Sequence, residues 1–303
     1  MVLPAHGQSI IPATDGTGTA VLQTGDHYQI EGGTAVSGNL FHSFQQFGLT
    51  AAEVATFLAD PTTQNIFARV IGGDPSQING LLTVLGGSPN FYLMNPAGIV
   101  FGADARLDVP GNFFATTATA MEFAHGTLFA YENNQYSDLV GNPLGFHFSS
   151  TDSGAVINSG NLAVKPGQQL GLTGRTVLNT GTLTAPGGTV QVMGVPDSHY
   201  VRISQPGMLL SLEVDTQNLG ASGQITALDL PALLTGSPNV TGAKSDGTNL
   251  YLENTDLTIP TTAGLVVLAG EIDVRDAIGN QGRIEVDGDR LAATVGRDDH
   301  RLA

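Results

Sequence analysis

The chain has 303 residues, of which 40 are glycine and only 13% are charged. Its 11 basic and 27 acidic side chains give a formal net charge of −16, which excludes the basic surface that nucleic-acid binding needs and disfavours anionic membranes. The chain has no cysteine, which excludes a disulfide framework, a thiolate zinc site and a cysteine nucleophile.

The first residues indicate export. Ala5 and Gly7 lie at the −3 and −1 positions of a signal-peptidase site before Gln8. The apolar stretch that precedes such a site in a signal peptide is missing. We expect residues 1–7 to be the end of a signal peptide or an arbitrary start, and residues 8–303 to form one domain. We expect that domain to pass through the periplasm and to be secreted or held at the cell surface.

Short strand-like runs follow one another along the chain. Leu81–Leu85, Phe91–Met94 and Ile99–Phe101 are rich in apolar residues, and each is followed by glycine or asparagine. Such runs, bounded by turn residues, predict β-strands. The longest apolar run, Leu265–Ala269, is far below the ~18 residues of a membrane-spanning helix, so we expect no membrane-embedded segment.

One segment has the pattern of a helix. Thr50 and Glu53 have the spacing of a capping box, in which each side chain bonds the other residue's backbone N–H. Val54 and Phe57 then share one helical face, and Asp60-Pro61 would end the helix. We expect one short α-helix here in an otherwise all-β chain.

The strands repeat with a period of about 20 residues. Val156–Leu162 matches Val177–Leu183, so that Asn158 and Asn179 are equivalent, and the segments after them also correspond. A unit of three short strands and three turns predicts stacked coils whose strands pair in parallel, ~4.8 Å apart. We expect a right-handed parallel β-helix. The two asparagines predict either a stacked amide ladder or separate left-handed turns.

Two regions fall outside this repeat. The first ~50 residues lack the period, and we expect them to form an N-terminal cap over the exposed end of the coil. Residues 112–148 are much richer in aromatic side chains than the repeat region. We expect them to form an insertion of extra-helical strands that packs on the flank of the coil.

Several motifs occur in a fixed order. Asn95–Gly102 begins with a tight type I turn, with Asn, Pro and Gly at their preferred positions. Together with Gly38–Phe47 and Asp74–Gly80 before it, this segment resembles the N-terminal, haemagglutination-activity domain of two-partner secretion exoproteins of the filamentous haemagglutinin family. Val201–Gly207 and Leu210–Glu213 resemble the branch of that family common in cyanobacteria.

The resemblance implies a function. It implies a monomeric secretion-signal domain that is recognised by the POTRA domains of an outer-membrane two-partner secretion transporter and that templates folding of the exoprotein outside the cell. It implies no enzyme activity and no cofactor. Of two family motifs, only the Asn-Pro-x-Gly-Ile type is present, and the Asn-Pro-Asn-Leu type is absent. The candidate partner-recognition or fold-nucleating residues are Asn79, Gly80, Asn95, Pro96, Gly98 and Ile99.

Other functions have weaker sequence support. One alternative is an adhesin-type β-helix that binds glycans or another surface. A pectinase-like enzyme needs paired acids, for which Asn254–Asp256 and Asp298–His300 are the candidates. Asp152–Gly154 matches an aspartic-protease tripeptide, but its sequence context favours a turn. Asp15–Gly18 and Asp287–Asp289 lack the ligand count of a calcium loop, so we expect no metal.

Overall fold

A computed structural model describes residues 10–148, 154–196, 200–202, 211–213, 243–245, 249–252, 258–260, 263–276 and 282–293. The strands in chain order are β1 (Ile11–Pro12), β2 (Thr19–Thr24), β3 (His27–Gly32), β4 (Thr34–Val36), β5 (Asn39–Gln46), β6 (Val54–Leu58), β7 (Asn65–Val70), β8 (Ser76–Ile78), β9 (Leu81–Leu85), β10 (Asn90–Met94), β11 (Ile99–Phe101), β12 (Arg106–Asp108), β13 (Phe113–Thr116), β14 (Ala120–Glu122), β15 (Thr127–Phe129), β16 (Gly145–His147), β17 (Ala155–Asn158), β18 (Asn161–Ala163), β19 (Gln169–Gly174), β20 (Thr176–Asn179), β21 (Thr182–Thr184), β22 (Thr189–Gly194), β23 (Tyr200–Arg202), β24 (Ser211–Glu213), β25 (Ala243–Ser245), β26 (Asn249–Leu252), β27 (Thr258–Pro260), β28 (Leu265–Leu268), β29 (Glu271–Asp273), β30 (Arg283–Asp287) and β31 (Arg290–Ala293). A single 3₁₀ turn, Tyr136–Asp138, is the one helical element among the described residues, none of which forms a helix able to cross a membrane.

Three parallel ladders run along the molecule, and each complete turn of the chain adds one strand to each. The long sheet stacks β5, β7, β10, β13, β19, β22 and β30, and the six-stranded sheet stacks β8, β11, β17, β20, β28 and β31. The third ladder, the split sheet, consists of β3, β6, β9 and β12, followed by β18, β21 and β29. This arrangement confirms the predicted parallel β-helix.

The strand register confirms the sequence repeat. Val156 pairs with Val177 and Asn158 with Asn179, as the offset of 21 residues requires. Because side chains alternate across a strand, Val156 and Val177 point inward, and both are fully buried. The repeat therefore reports one inward apolar position in each turn of the coil.

The predicted helix after Thr50 is wrong, because Val54–Leu58 forms strand β6 between β3 and β9. Half of the capping box is present, since the Thr50 N–H donates to the Glu53 carboxylate at 2.6 Å. The Glu53 N–H, however, donates to the Thr50 carbonyl at 3.1 Å and closes a turn. Pairing on both strand edges and burial of Phe57 outweigh the local preference of a short helix.

The N-terminal cap is shorter than predicted. β1 and β4 pair antiparallel with β5, and β2 pairs antiparallel with β3, so these three strands cover the end of the coil. β3 and β5 are already part of the coil, because they pair in parallel with β6 and β7. The coil thus begins within the first 50 residues.

The aromatic-rich insertion forms an extra-helical sheet. It begins after Thr116 rather than at residue 112, because Phe113–Thr116 is strand β13 of the long sheet. β14, β15 and β16 then pair antiparallel, and β23 and β24 extend this sheet from a later part of the chain. A separate antiparallel sheet contains β25, β26 and β27.

Both excursions leave the coil at the same corner. One runs between β13 and β17 and the other between β22 and β28, in each case from the long sheet to the six-stranded sheet. In turns of the coil without an excursion, the same corner holds a short connection, such as the one from β10 to β11.

Candidate functional site

The predicted turn at Asn95 lies at this corner, between β10 and β11. The Gly98 N–H donates to the Asn95 carbonyl at 3.1 Å, and the Ala97 N–H donates to Asn95 Oδ1 at 3.0 Å. Gly98 has a φ of +132°, which favours glycine. The Asn95 side chain therefore closes the turn that its backbone begins.

Asn95 also ties this corner to the corner of the preceding turn. Its Nδ2 donates to the Asp74 carbonyl and to Ser76 Oγ, both at 3.0 Å. In return, the Ser76 N–H donates to the Gly98 carbonyl at 2.9 Å. The Asn95 side chain thus bonds backbone groups both in its own turn and in the turn stacked beneath it.

The corner supports both ends of the first excursion. The Asn95 N–H donates to the Thr116 carbonyl at 3.0 Å, where the chain leaves the coil. The Gly154 N–H donates to the Pro96 carbonyl at 2.6 Å, where the chain returns. A Cβ at Gly154 would lie 2.5 Å from the Ala97 carbonyl oxygen, so a side chain would not fit. Thr116 and Gly154 were not identified from the sequence, because nothing in their spacing relates them to Asn95.

Asn79 and Gly80 lie at a different corner, between β8 and β9. Asn79 Oδ1 accepts from the Asp104 N–H at 2.9 Å and so fixes the next turn of the coil. A Cβ at Gly80 would lie 2.2 Å from the Glu53 carbonyl oxygen, which makes glycine necessary for stacking. The structure therefore does not bring the Asn79 pair and the Asn95 group together.

The candidate residues expose little surface in the folded domain. Asn95 and Ile99 have no exposed surface, Pro96, Gly98 and Gly80 are buried, and Asn79 is half-buried. Their side chains are used within the coil. A partner that contacts these residues directly would have to bind before this part of the coil folds.

Asparagine ladders support two corners of the coil. Asn158 Nδ2 donates to Asn179 Oδ1 at 2.8 Å, which confirms the predicted amide ladder. A second ladder was not predicted: Asn90 donates to Asn65, and Asn65 to Asn39, each at 2.9 Å. The available signal was an asparagine directly before the apolar runs of β5, β7 and β10.

The outward face of the long sheet carries an aromatic ladder. Phe41, Phe67, Tyr92 and Phe114 stack in adjacent strands with ring centroids 5.0, 4.8 and 5.0 Å apart. The extra-helical sheet covers these rings with Met121, Leu128 and Phe146, which form a second apolar core outside the coil. Most rings of the insertion therefore serve packing, as predicted.

A buried ion pair joins the cap, the coil and the insertion. Arg69 on β7 binds the Asp15 carboxylate at 2.7 Å, and both side chains are largely buried. The same guanidinium donates to the carbonyls of Phe129 at 2.6 Å and Glu132 at 3.0 Å. Burial alone would raise the pKa of Asp15, but hydrogen bonds from the Thr17 N–H and hydroxyl and the Arg69 charge lower it to about 2. The Asp15 carboxylate is therefore already used in the ion pair with Arg69.

No group of three or more His, Asp or Glu side chains gathers into a possible metal site within the described ranges. The acidic candidates Asn254–Asp256 and Asp298–His300 lie outside those ranges, as do Asp152 and Ser153.

The last described turn of the coil has two exposed inward side chains. Ile284 pairs with Val190 and Leu291 with Val266 in the same inward columns. Val190 and Val266 are fully buried, whereas Ile284 is 47% and Leu291 57% exposed. Among the described residues, no further turn is stacked on these two inward positions.

Comparison with known proteins identifies one family. The family model of the TPS secretion domain matches residues 8–229. The HMW1 secretion domain from Haemophilus influenzae is 20% identical, with a TM-score of 0.47, over 71% of this chain and 49% of that one. The filamentous hemagglutinin secretion domain is 15% identical, with a TM-score of 0.44, over 95% and 98%. The chain thus spans about half the length of the HMW1 structure, and no curated protein sequence matches it.

Proposed function

The chain belongs to the TPS secretion domain family, and we propose that it addresses an exoprotein to the POTRA domains of an outer-membrane transporter. Domains of this family belong to exported proteins that are secreted or surface-associated, and the two-partner arrangement implies a transporter. The family is one of secretion domains and not of enzymes. The passage through the periplasm, the monomeric state and the use of POTRA domains are parts of this proposal.

The burial of the Asn95 corner is the observation that carries the mechanism. Because Asn95 and Ile99 are inaccessible in the folded coil, we place transporter recognition before this corner forms. A parallel coil pairs residues distant in sequence and folds slowly, which leaves time for capture. The absence of cysteine means that no disulfide can lock the chain before export.

The exposed inward side chains of the last described turn support a templating role after export. The exposed inward positions Ile284 and Leu291 would be buried by one more turn of similar sequence. Each added turn buries apolar surface on the previous one, so folding propagates along the coil in one direction. We propose that the domain folds first outside the cell and that these exposed positions can receive a further turn of exoprotein chain.

Export of an Asn95→Ala, Gly98→Ala variant tests the recognition step. The experiment measures secretion with a cognate transporter, unfolding of the purified domain, and binding of the unfolded chain to isolated POTRA domains. We expect lost secretion and weakened POTRA binding. Asn158→Ala is the control, because it breaks buried hydrogen bonds at another corner and should lower stability without lowering POTRA binding. Undiminished secretion of the double variant would refute a role for this corner.

A further inference from the structure

The extra-helical sheet carries a cleft on its outer face that the secretion role does not use. The cleft has a volume of about 480 Å³ and is lined by Ala120, Phe129, Tyr131, Glu132, His147 and nearby threonines. The opposite face of this sheet packs on the coil through Met121 and Leu128. Among the described residues, the apolar packing that joins this sheet to the coil thus lies on the face opposite the cleft.

The strand register explains the shape of the cleft. Ala120 on the central strand pairs with Phe129 on one side and with His147 on the other. Adjacent strands lie ~4.8 Å apart, so the two flanking backbones are separated by about 10 Å with only a methyl group between them. The small residue leaves a slot between two rings, and Tyr200 supports the His147 ring at a centroid distance of 4.6 Å.

The rings that border the cleft are exposed but held in place. Phe129 is 38% and Tyr131 47% exposed, which is unusual in a region whose other rings are mostly buried. Asn134 fixes the segment that carries them, because its side chain accepts from the Phe129 N–H at 2.7 Å and donates to the Phe129 carbonyl at 3.0 Å. Arg69 holds the same segment from beneath. This rigidity lowers the entropy cost of binding a ligand.

The same contacts argue against a peptide strand as the ligand. Added strands bind through the free N–H and C=O groups of a sheet edge. At Phe129 both groups are already bonded by Asn134, so a strand would have to displace it. A compact ligand that enters the slot fits better.

The charge of the cleft selects the kind of ligand. Glu132 lines it, and Glu122 lies on the same face, with its carboxylate 3.4 Å from His147 Nε2. The nearby Arg69 charge is balanced by Asp15, and the whole chain carries a net charge of −16. Aromatic faces combined with carboxylates are the environment that binds organic ammonium ions. We propose that this cleft binds a quaternary ammonium group, against the rings of Phe129 and Tyr131 and beside Glu132.

Titration of the folded domain with choline, followed by NMR, tests the site. We expect saturable binding with a dissociation constant on the order of millimolar, since a few cation–π contacts and one exposed carboxylate contribute modestly. Phe129→Leu removes the aromatic face but keeps an apolar side chain, and should weaken binding by roughly 3- to 30-fold. Glu132→Gln should weaken it and reduce its salt dependence. Leu22→Ala changes an exposed apolar residue on β2 and should leave binding unchanged.

The neutral isostere 3,3-dimethylbutan-1-ol separates charge from shape. We expect it to bind at least about ten times more weakly than choline, because it lacks the cation that the rings and the carboxylate attract. Equal binding of the two, no choline binding to the folded domain, or binding of a neutral saccharide in place of choline would overturn the proposal. If Phe129→Leu unfolds the domain, Tyr131→Leu provides the same test.

Vesicles identify the source of the ammonium group. Co-sedimentation with phosphatidylcholine vesicles that Phe129→Leu abolishes would support a lipid headgroup, whereas binding of free choline alone would support a soluble ligand. Phosphatidylglycerol vesicles are the control, and binding to them would contradict recognition of an ammonium group. This inference does not depend on the secretion role, because none of its measurements involves the transporter.

Discussion

The coil and the extra-helical sheet each contribute to an apolar core, but their strands pair in different ways. In the coil, a strand pairs with one about 20 to 27 residues away wherever no excursion lies between the two, and the inward column is apolar in turn after turn. In the extra-helical sheet, Phe146 pairs antiparallel with Val201 from a separate excursion, and no periodicity relates the two. The coil thus repeats one unit from turn to turn, whereas the covering sheet joins segments of two excursions that no repeat relates.

The comparison predicts how each region fails. Damage to the cover should release the insertion, while damage to a corner ladder should weaken the stack of turns itself. Three substitutions test this difference.

Replacing Arg69 should have the largest effect. Arg69→Met leaves the Asp15 carboxylate buried without its partner and frees the Phe129–Glu132 segment, which should lower the free energy of unfolding by about 4 kcal/mol. Urea unfolding measures the loss, and hydrogen exchange should show it first in the insertion. Lys165→Met is the matched control, because its ion pair with Asp108 has the same 2.7 Å length but is more than half exposed. That variant should cost less than about 1 kcal/mol, and equal losses would contradict this account.

Acid should weaken the first turn of the coil through His42. This ring is buried beside Phe57, neither of its nitrogens has a hydrogen-bond partner among the described residues, and burial lowers its pKa from 6.5 to about 4. The unfolded chain therefore takes up the proton first. Stability is complete above pH 6.5 and should fall by about 3 kcal/mol as the pH drops to about 4.

Unfolding measured across this range, with and without His42→Leu, checks the assignment. The variant should lose most of the pH dependence between 6.5 and 4. Asp15 acts in a lower range, because its lowered pKa makes its contribution disappear only from 3.8 towards 2. A His42→Leu protein with the original slope between 6.5 and 4 would exclude His42 as the cause.

The asparagine ladder should have the smallest effect of the three. Asn158→Ala leaves Asn179 Oδ1 and the Gly160 N–H without their bonds, at a cost of about 2 kcal/mol. Hydrogen exchange should rise in β17 and β20 and not in the insertion. Asn161→Ala, at an exposed position on β18, should change stability by less than about 0.5 kcal/mol. A loss confined to the insertion would reverse the proposed division between coil and cover.

The parts of the fold that sequence reasoning predicted are those with a local or periodic cause. The register of Val156 with Val177 follows from the repeat, and the turn at Asn95 follows from the preferences of its residues. The helix after Thr50 failed because its signature spans only a few residues, whereas the competing β6 pairing involves strands more than twenty residues away on both sides.

The site was predicted in part for the same reason. The sequence indicated the turn at Asn95, but not that Thr116 and Gly154 rest on it, because those contacts join chain segments separated by an excursion. It indicated that aromatic residues gather in the insertion, but not that Ala120 separates two rings on the outer face. Contacts made within or across an excursion do not recur from turn to turn, so they leave no period in the sequence.

Both excursions leave the coil at the same corner, so the additional strands are attached along one edge of the coil and not along the other two. The connections at the other corners are short. Extra chain is therefore added along one edge of the coil, and the spacing between successive turns stays the same. A related chain can therefore gain or lose a whole excursion at this corner while it keeps the same coil. In a fibre that continued this coil, the excursions would lie on one side. The other sides would be left available for contact between neighbouring fibres.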